Sequence, residues 1–283
     1  MTVVAHTSAL VLFAALLHAS WNALLHGTRD RFLAMTWMSM AIATIATLAI
    51  LLGAPMPTAA AWPYIVASGL IHIVYSGCLV WSYRIGDFSR AYPIARGASP
   101  LLVALGALFS VQEALVPVRL LGVVMVSGGI LLLACQRGRV SRSSVIAALT
   151  TGVVIAIYTV VDGVGVRLSG GRFLAYTPWM FAFYWLMAPV FLAMRGTGSV
   201  RMLATAPWAS AWCACAGGLI SVLAYGIVIW AMQTGAMGAV SALRETSVVF
   251  AVLIARVFMR EAVSGKTWLA CFVVASGAIC LGL

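Results

Sequence analysis

Charge is what this chain has least of. Only 8% of its 283 residues are charged, just six of them acidic, while 64% are hydrophobic and the mean hydropathy is strongly positive. A chain so poor in polar side chains cannot cover the surface of a soluble globule. Its 17 cations give a net charge of +11, but they stand singly between apolar runs, not in the basic patches that nucleic acid requires. Nucleic acid is thereby excluded as a partner, and the lipid bilayer takes its place. There is no GxxxxGK[ST] loop, so the chain does not drive transport with ATP by itself. HExxH and GxSxG are absent too, and no enzyme of those classes is expected. Cys78, Cys135, Cys213, Cys215, Cys271 and Cys280 form no CxxC pair and have no histidine at zinc spacing, so neither metal nor cofactor is implied. The period-two alternation of a membrane β-barrel is missing. No basic stretch precedes the first apolar run, which is therefore expected to be retained and not cleaved.

What the chain has instead is apolar length. Ten runs reach the roughly 20 residues needed to cross a hydrocarbon core: 8–26, 32–53, 63–83, 91–111, 117–135, 144–166, 173–194, 207–232, 237–258 and 265–282. The expected fold is an all-α polytopic membrane protein. The longest connections, 53–62 and 195–207, leave no room for a soluble domain. Function must reside between the helices.

The sequence also repeats itself. Arg31-Phe32-Leu33-Ala34-Met35-Thr36 returns as Arg172-Phe173-Leu174-Ala175-Tyr176-Thr177, and Trp81 and Gly86 match Trp230 and Gly235. Arg96, Ser99, Glu113 and Ala114 return as Arg244, Ser247, Glu261 and Ala262, all displaced by 148. Residues 1–140 and 141–283 thus form two copies of five spans each, and an odd number forces them into the bilayer with opposite orientations. Such an inverted repeat suits alternating access. Arg29, Arg31, Arg84, Arg90, Arg137, Arg139, Arg142, Arg195, Arg201, Arg260 and Lys266 fall on one side, against Arg119, Arg167 and Arg172 on the other. Because basic loops stay in the cytoplasm, this eleven-to-three split predicts that both termini lie outside.

Pro93-Ile94-Ala95-Arg96-Gly97-Ala98-Ser99-Pro100 enters the fourth span and Gln112-Glu113 closes it. With ten helices in two five-helix copies, the chain resembles the EamA-type branch of the drug/metabolite transporter superfamily over essentially its whole length. The bacterial aromatic amino-acid exporters are similar in length and helix count. The resemblance implies a central cavity lined by spans 1, 3, 4, 6, 8 and 9, and export of small organic metabolites, amino acids foremost, across the inner (plasma) membrane. The second copy departs from the first: Glu245 stands where Gly97 does, and Val248 where Pro100 does.

The polar residues inside the spans are the candidate site. His18, Trp21 and Asn22 share one face of span 1, and His72, Tyr75 and Ser76 share one of span 3, with both histidines near mid-membrane. They bind substrate or exchange protons, or else each makes an interhelical hydrogen bond. Tyr92, Arg96 and Ser99 share a face of span 4; Ser241, Arg244 and Glu245 form the related stripe of span 9. An arginine at a helix centre costs about 2.5–3.5 kcal/mol. The inversion puts these two near opposite membrane faces, as gates that pair alternately or as anchors for a substrate carboxylate, with snorkelling as the plain alternative. Arg256 and Arg260 are expected to snorkel. Glu245 and Asp162 are the carboxylates within spans, and a proton-coupled antiporter needs such a group. Local pairing of Glu245 with an arginine is the alternative. Tyr158 and Tyr225 stand out among the in-span aromatics as substrate contacts, and Pro93 and Pro100 are expected to bend span 4. Glycines such as Gly122 and Gly277 permit close helix approach. Spans 5 and 10 carry few polar groups and suit scaffold or dimer contacts, hence a monomer or weak homodimer.

The function expected is a membrane transporter, not an enzyme, exporting amino acids by alternating access. A multidrug/proton antiporter, an importer, and an intramembrane enzyme using His18, His72 and Asp162 remain as rival readings.

Overall fold

The computed structural model describes residues 2–26, 30–85, 88–114, 116–135, 141–206, 208–258, 260 and 262–282, and every regular element among them is helical. The solvent dictates this outcome. In hydrocarbon a backbone must satisfy its own hydrogen bonds, which an α-helix does within one segment. The elements are α1 (Thr2–His26), α2 (Arg31–Leu51), α3 (Trp62–Ile85), α4 (Phe88–Val111), α5 (Pro117–Cys135), α6 (Arg142–Leu168), α7 (Thr177–Ala182), α8 (Tyr184–Arg195), α9 (Ser199–Thr205), α10 (Trp208–Met232), α11 (Met237–Glu245), α12 (Ser247–Val257) and α13 (Gly265–Gly282). Among the described residues, nine helical segments are long and apolar enough to cross a membrane. The chain is an all-helical, multi-pass membrane protein. Helix α3, 24 residues over the third predicted span, stands outside that set of nine.

Two expected spans are broken in the middle. The seventh comprises a 3-10 turn (Phe173–Ala175), α7 and α8, with the break at Phe183. The ninth comprises α11 and α12, interrupted at Thr246, whose hydroxyl donates to the Leu243 carbonyl at 2.6 Å. That bond ties up a carbonyl that the regular ladder would use. The breaks fall within residues 141–283, the expected second copy, where Val248 stands in the position of Pro100; α4 runs through Pro93 and Pro100 without ending. The connection expected at 195–207 contains the short helix α9.

Small residues set the closest contact. Helices α5 and α13 pack together so tightly that a Cβ on Gly122 would lie 2.8 Å from the Gly277 carbonyl, and one on Gly277 would lie 2.9 Å from the Gly122 carbonyl. These helices therefore scaffold each other within one chain. Elsewhere α4 and α3 pack on α6, α1 and α2 on α10, α2 on α8, and α11 on α4 and α1. Hydroxyls inside the helices bond back one turn, as Thr151 does to Ala147 and Thr159 to Ile155. At one face of the bundle Asp30 caps α2, accepting from the amides of Phe32 and Leu33, and receives Arg195 from the end of α8 at 2.7 Å. This packing leaves α1, α3, α4, α6, α10 and α11 around a buried polar interior.

Candidate functional site

The interior holds two linked groups. The first is a charge cluster where α4 meets α11. Glu245, fully buried, lies with its Oε2 2.5 Å from Arg96 Nε, an ion pair too oblique to count as an aligned hydrogen bond, and its Oε1 accepts from Arg244 at 3.1 Å. Arg96 also donates to Ser247 Oγ at 3.3 Å. Both arginines are 3% exposed, so neither snorkels, and they converge on one carboxylate instead of guarding opposite faces. Low dielectric explains this: each guanidinium finds a counter-charge more cheaply inside than by reaching for water. Two cations and one anion leave the cluster with an excess positive charge.

The second group is aromatic and draws on α3, α6, α8, α10 and the turn before α7. The His72 ring lies 4.3 Å from Tyr158, 5.8 Å from Tyr184 and 6.0 Å from Tyr225 between centroids, and Tyr75 packs edgewise on Tyr158 at 5.6 Å. His72 Nδ1 sits 2.9 Å from the Ser68 carbonyl, which can only accept, so the hydrogen is on Nδ1. Ser76 bonds back to the His72 carbonyl at 2.9 Å and reaches Met187 Sδ. Asp162, fully buried on α6, accepts from Tyr176 at 2.8 Å and from Tyr225 at 2.5 Å. Tyr225 joins the two groups: its hydroxyl is on Asp162 and Arg244 stands 5.9 Å over its ring. A carboxyl group at the hydroxyl and a guanidinium over the ring face thus meet on one tyrosine.

Other expected residues fall in different company. His18 and Trp21 pair with each other, rings edgewise at 5.0 Å and Trp21 Nε1 donating to His18 Nδ1 at 3.3 Å, while Asn22 bonds back to the His18 carbonyl at 2.8 Å. His18 Nε2 is buried with no hydrogen-bond partner among the described residues. The two histidines therefore do not join in one cage. Ser99 donates to the Arg96 carbonyl at 3.3 Å and faces no open space. The side chain of Tyr92 lies outside the described residues. Arg256 and Arg260 are exposed. Asp162, expected in charge pairing, makes no ion pair among the described residues; tyrosines hold it.

Sequence reasoning missed Tyr176, Tyr184 and Ser68. Tyr176 had a signal: it stands where Met35 does in the repeated segment, a polar group replacing an apolar one. Also missed was a clasp at the face where α6 ends. Arg167 donates to the Met232 carbonyl at 3.0 Å, to the Gly235 carbonyl at 2.9 Å and to Glu113 at 3.2 Å, tying α6 to the α4–α5 and α10–α11 turns. An apolar cavity of about 310 Å³, lined by Leu102, Gly106, Ile157 and Val160 among others, lies between α4 and α6. Its lining includes the exposed Val153 and Ile157, so it faces lipid and is separate from the polar interior.

No known family profile matches the chain, and no curated protein matches it. Among solved structures, one described as "Crystal structure of protein" superposes with a TM-score of 0.76 over 99% of this chain and 96% of that one, at 17% identity. The likeness is one of fold alone.

Proposed function

We propose that this chain is a ten-span carrier of the EamA-type drug/metabolite kind, exporting amino acids across the plasma membrane by alternating access, with both termini outside. The inverted repeat is supported by how the helices pair. Exchanging spans 1 to 5 for spans 6 to 10 carries the α1–α10 contact onto α6–α3 and α4–α6 onto the contact of α11 and α12 with α1. The same exchange leaves α2–α8, α4–α11 and α5–α13 in place. A packing pattern that maps onto itself is what two half-proteins related by a twofold axis would produce.

The observation that carries the substrate reading is Tyr225 with Asp162 at its hydroxyl and Arg244 over its ring. An amino-acid zwitterion presents a carboxylate and an ammonium a few ångströms apart. Its carboxylate fits the excess guanidinium charge of Arg96 and Arg244, which bind carboxylates in a fork. Its ammonium fits Asp162, and its side chain meets His72, Tyr75, Tyr158 and Phe181, a lining that favours aromatic and apolar groups. In this orientation the Arg167 clasp closes the outer face. Exit requires it to open as the halves rock.

The test is counterflow in sealed proteoliposomes loaded with unlabelled amino acids, one at a time. Transient accumulation of label with phenylalanine or tyrosine, absent from protein-free vesicles, is expected. No counterflow with any member of a full amino-acid panel would reject the reading.

A further inference from the structure

The repeated pattern of an arginine followed three residues later by a serine is put to different use in its two occurrences. In α4 it is Arg96 and Ser99, where the Ser99 hydroxyl bonds back to the Arg96 carbonyl at 3.3 Å and the helix runs on. Farther along it is Arg244 and Ser247, and here the helix stops between them: Glu245 is the last residue of α11, Thr246 the break and Ser247 the first residue of α12. The Ser247 hydroxyl accepts from Nη2 of Arg96, 151 positions away on α4, at 3.3 Å. Arg96 holds Glu245 as well, so one guanidinium on a continuous helix spans the break.

We propose that Arg96 and Ser247 form a latch that keeps α12 in place across the break, and that a substrate carboxylate opens it by taking Arg96 from Ser247, which frees α12 to swing about Thr246; this rests on the amino-acid carrier reading above. Ser247 is then a positioning residue that couples occupancy of the site to movement of a half-span.

The two halves of this span are held unequally. Eight of the nine residues of α11 are buried, and a Cβ on Gly238 would lie 2.9 Å from the Ala104 Cα, so α11 is wedged against α4. Of the eleven residues of α12, Ser247 alone is buried; the others are half-buried or exposed, and the helix packs on α1 and α13. The junction itself restrains α12 weakly. The Thr246 hydroxyl is occupied by the Leu243 carbonyl, and the backbone crosses with three-residue bonds, the Thr246 amide to the Leu243 carbonyl at 3.2 Å and the Val249 amide to the Thr246 carbonyl at 2.8 Å. Such bonds have poorer geometry than those of the α-helical ladder.

Charge and shape decide which acceptor Arg96 prefers. Ser247 offers one neutral hydroxyl oxygen at the long end of hydrogen-bond range. A carboxylate offers two charged oxygens to the same fork, a bidentate match that a single hydroxyl cannot make. Glu245 stays where it is, since Arg244 also holds it, and two guanidinium groups on one carboxylate leave positive charge to draw a second anion. A ligand shifts an equilibrium only by its difference in affinity for the two states. Here that difference is the bond to Arg96, which substrate gains in full only where Ser247 has given it up. The latch therefore opposes binding, and removing it should tighten the site.

The test follows α12 directly. In a protein whose native cysteines are replaced, spin labels at the exposed Leu132 on α5 and the exposed Val257 at the end of α12 report, by pulsed electron resonance, the separation of α12 from the α5–α13 scaffold. The substrate-free wild type should give one dominant distance, and saturating phenylalanine should add a second. Ser247→Ala should populate the second distance several-fold more than wild type without any substrate, and Ser247→Thr, which keeps the hydroxyl, should restore the wild-type distribution. Gel filtration checks that each variant is folded. In phenylalanine counterflow, Ser247→Ala should reach half-saturation at a several-fold lower concentration, an effect that general damage to the fold would not produce. A Ser247→Ala distribution identical to wild type, an unchanged half-saturation, or a wild-type distribution that phenylalanine leaves unmoved while counterflow proceeds would overturn the proposal. Absence of counterflow in the wild type would reject the carrier reading instead, and the substrate-free comparison of Ser247→Ala with wild type would still decide whether the hydroxyl holds α12.

Discussion

Replacing Glu245 with glutamine keeps the side chain's shape and removes one charge, the carboxylate that the buried Arg96 and Arg244 share. Both are 3% exposed and Glu245 is fully buried, so water cannot screen the loss. Breaking a buried pair by deleting one partner costs about 3–5 kcal/mol, and here a single deletion takes an anion from two cations. We expect Glu245→Gln to destabilise the protein by at least that amount, read as a fall in melting temperature in detergent by fluorescence-detected gel filtration. Arg96→Gln should cost less, because the Arg244–Glu245 pair at 3.1 Å survives. The decisive comparison is the double variant Arg96→Gln/Glu245→Gln. It returns the cluster to one net positive charge and should recover much of the stability lost by Glu245→Gln alone, a coupling that a double-mutant cycle isolates. A Glu245→Gln protein that melts with the wild type, or a double variant less stable than both single ones, would refute the reasoning.

Further outcomes follow from other parts of the molecule. Arg167→Gln removes three charge-assisted bonds at the clasp, each of a kind worth roughly 1.5–3 kcal/mol, and should raise the labelling rate of a cysteine placed at the half-buried Ala236 in the same turn by at least about tenfold; an unchanged rate would separate the clasp from gating. Gly122→Leu and Gly277→Leu each drive a side chain into a facing carbonyl and should lower stability by about 1–3 kcal/mol, whereas the same change at Gly128, which faces open space, should not. At the opposite face, burial pushes the Asp30 carboxyl up, but the hydrogen bond from Arg195 and the amides of Leu33 and Phe32 hold it below its usual value. Its contribution to stability is therefore present above the ordinary carboxylate pKa and lost as pH falls through the lowered one. Arg195→Gln should flatten that acid limb in a melting-versus-pH series, and an unaltered limb would count against the pair. His72→Ala removes the ring that Tyr158 and Tyr225 pack against and should reduce counterflow at least tenfold, with an undiminished rate arguing that the cage does not touch substrate.

The helices were legible because their cause is local: a run of some 20 apolar residues has few other stable forms in a bilayer. The breaks at Phe183 and Thr246 were not, because they depend on how a hydroxyl or neighbouring helix compensates the backbone, and Pro93 and Pro100 drew attention to the copy that stays continuous. The polar residues of the interior were visible as rare groups in apolar segments. Their partners were not. Helical spacing put Arg96 and Arg244 at comparable depths in their own helices, but only tertiary packing shows that one glutamate, present in the second copy alone, draws both together. The same limit applies to Asp162, whose tyrosines come from segments 14 and 63 residues away. Arg167 looked like a loop cation because its acceptors are mostly backbone carbonyls, which carry no sequence signal.

In the proposed carrier one buried site is reached from the two sides of the membrane in turn. Ser76, buried on α3 one turn beyond His72, is the place to test it. In a protein whose native cysteines are replaced, Ser76→Cys should react with a membrane-impermeant thiol reagent applied inside right-side-out vesicles, and saturating external phenylalanine should shift that reactivity to reagent applied outside. A cysteine at this position that reacts from one side only, with or without the amino acid, would rule out alternating access.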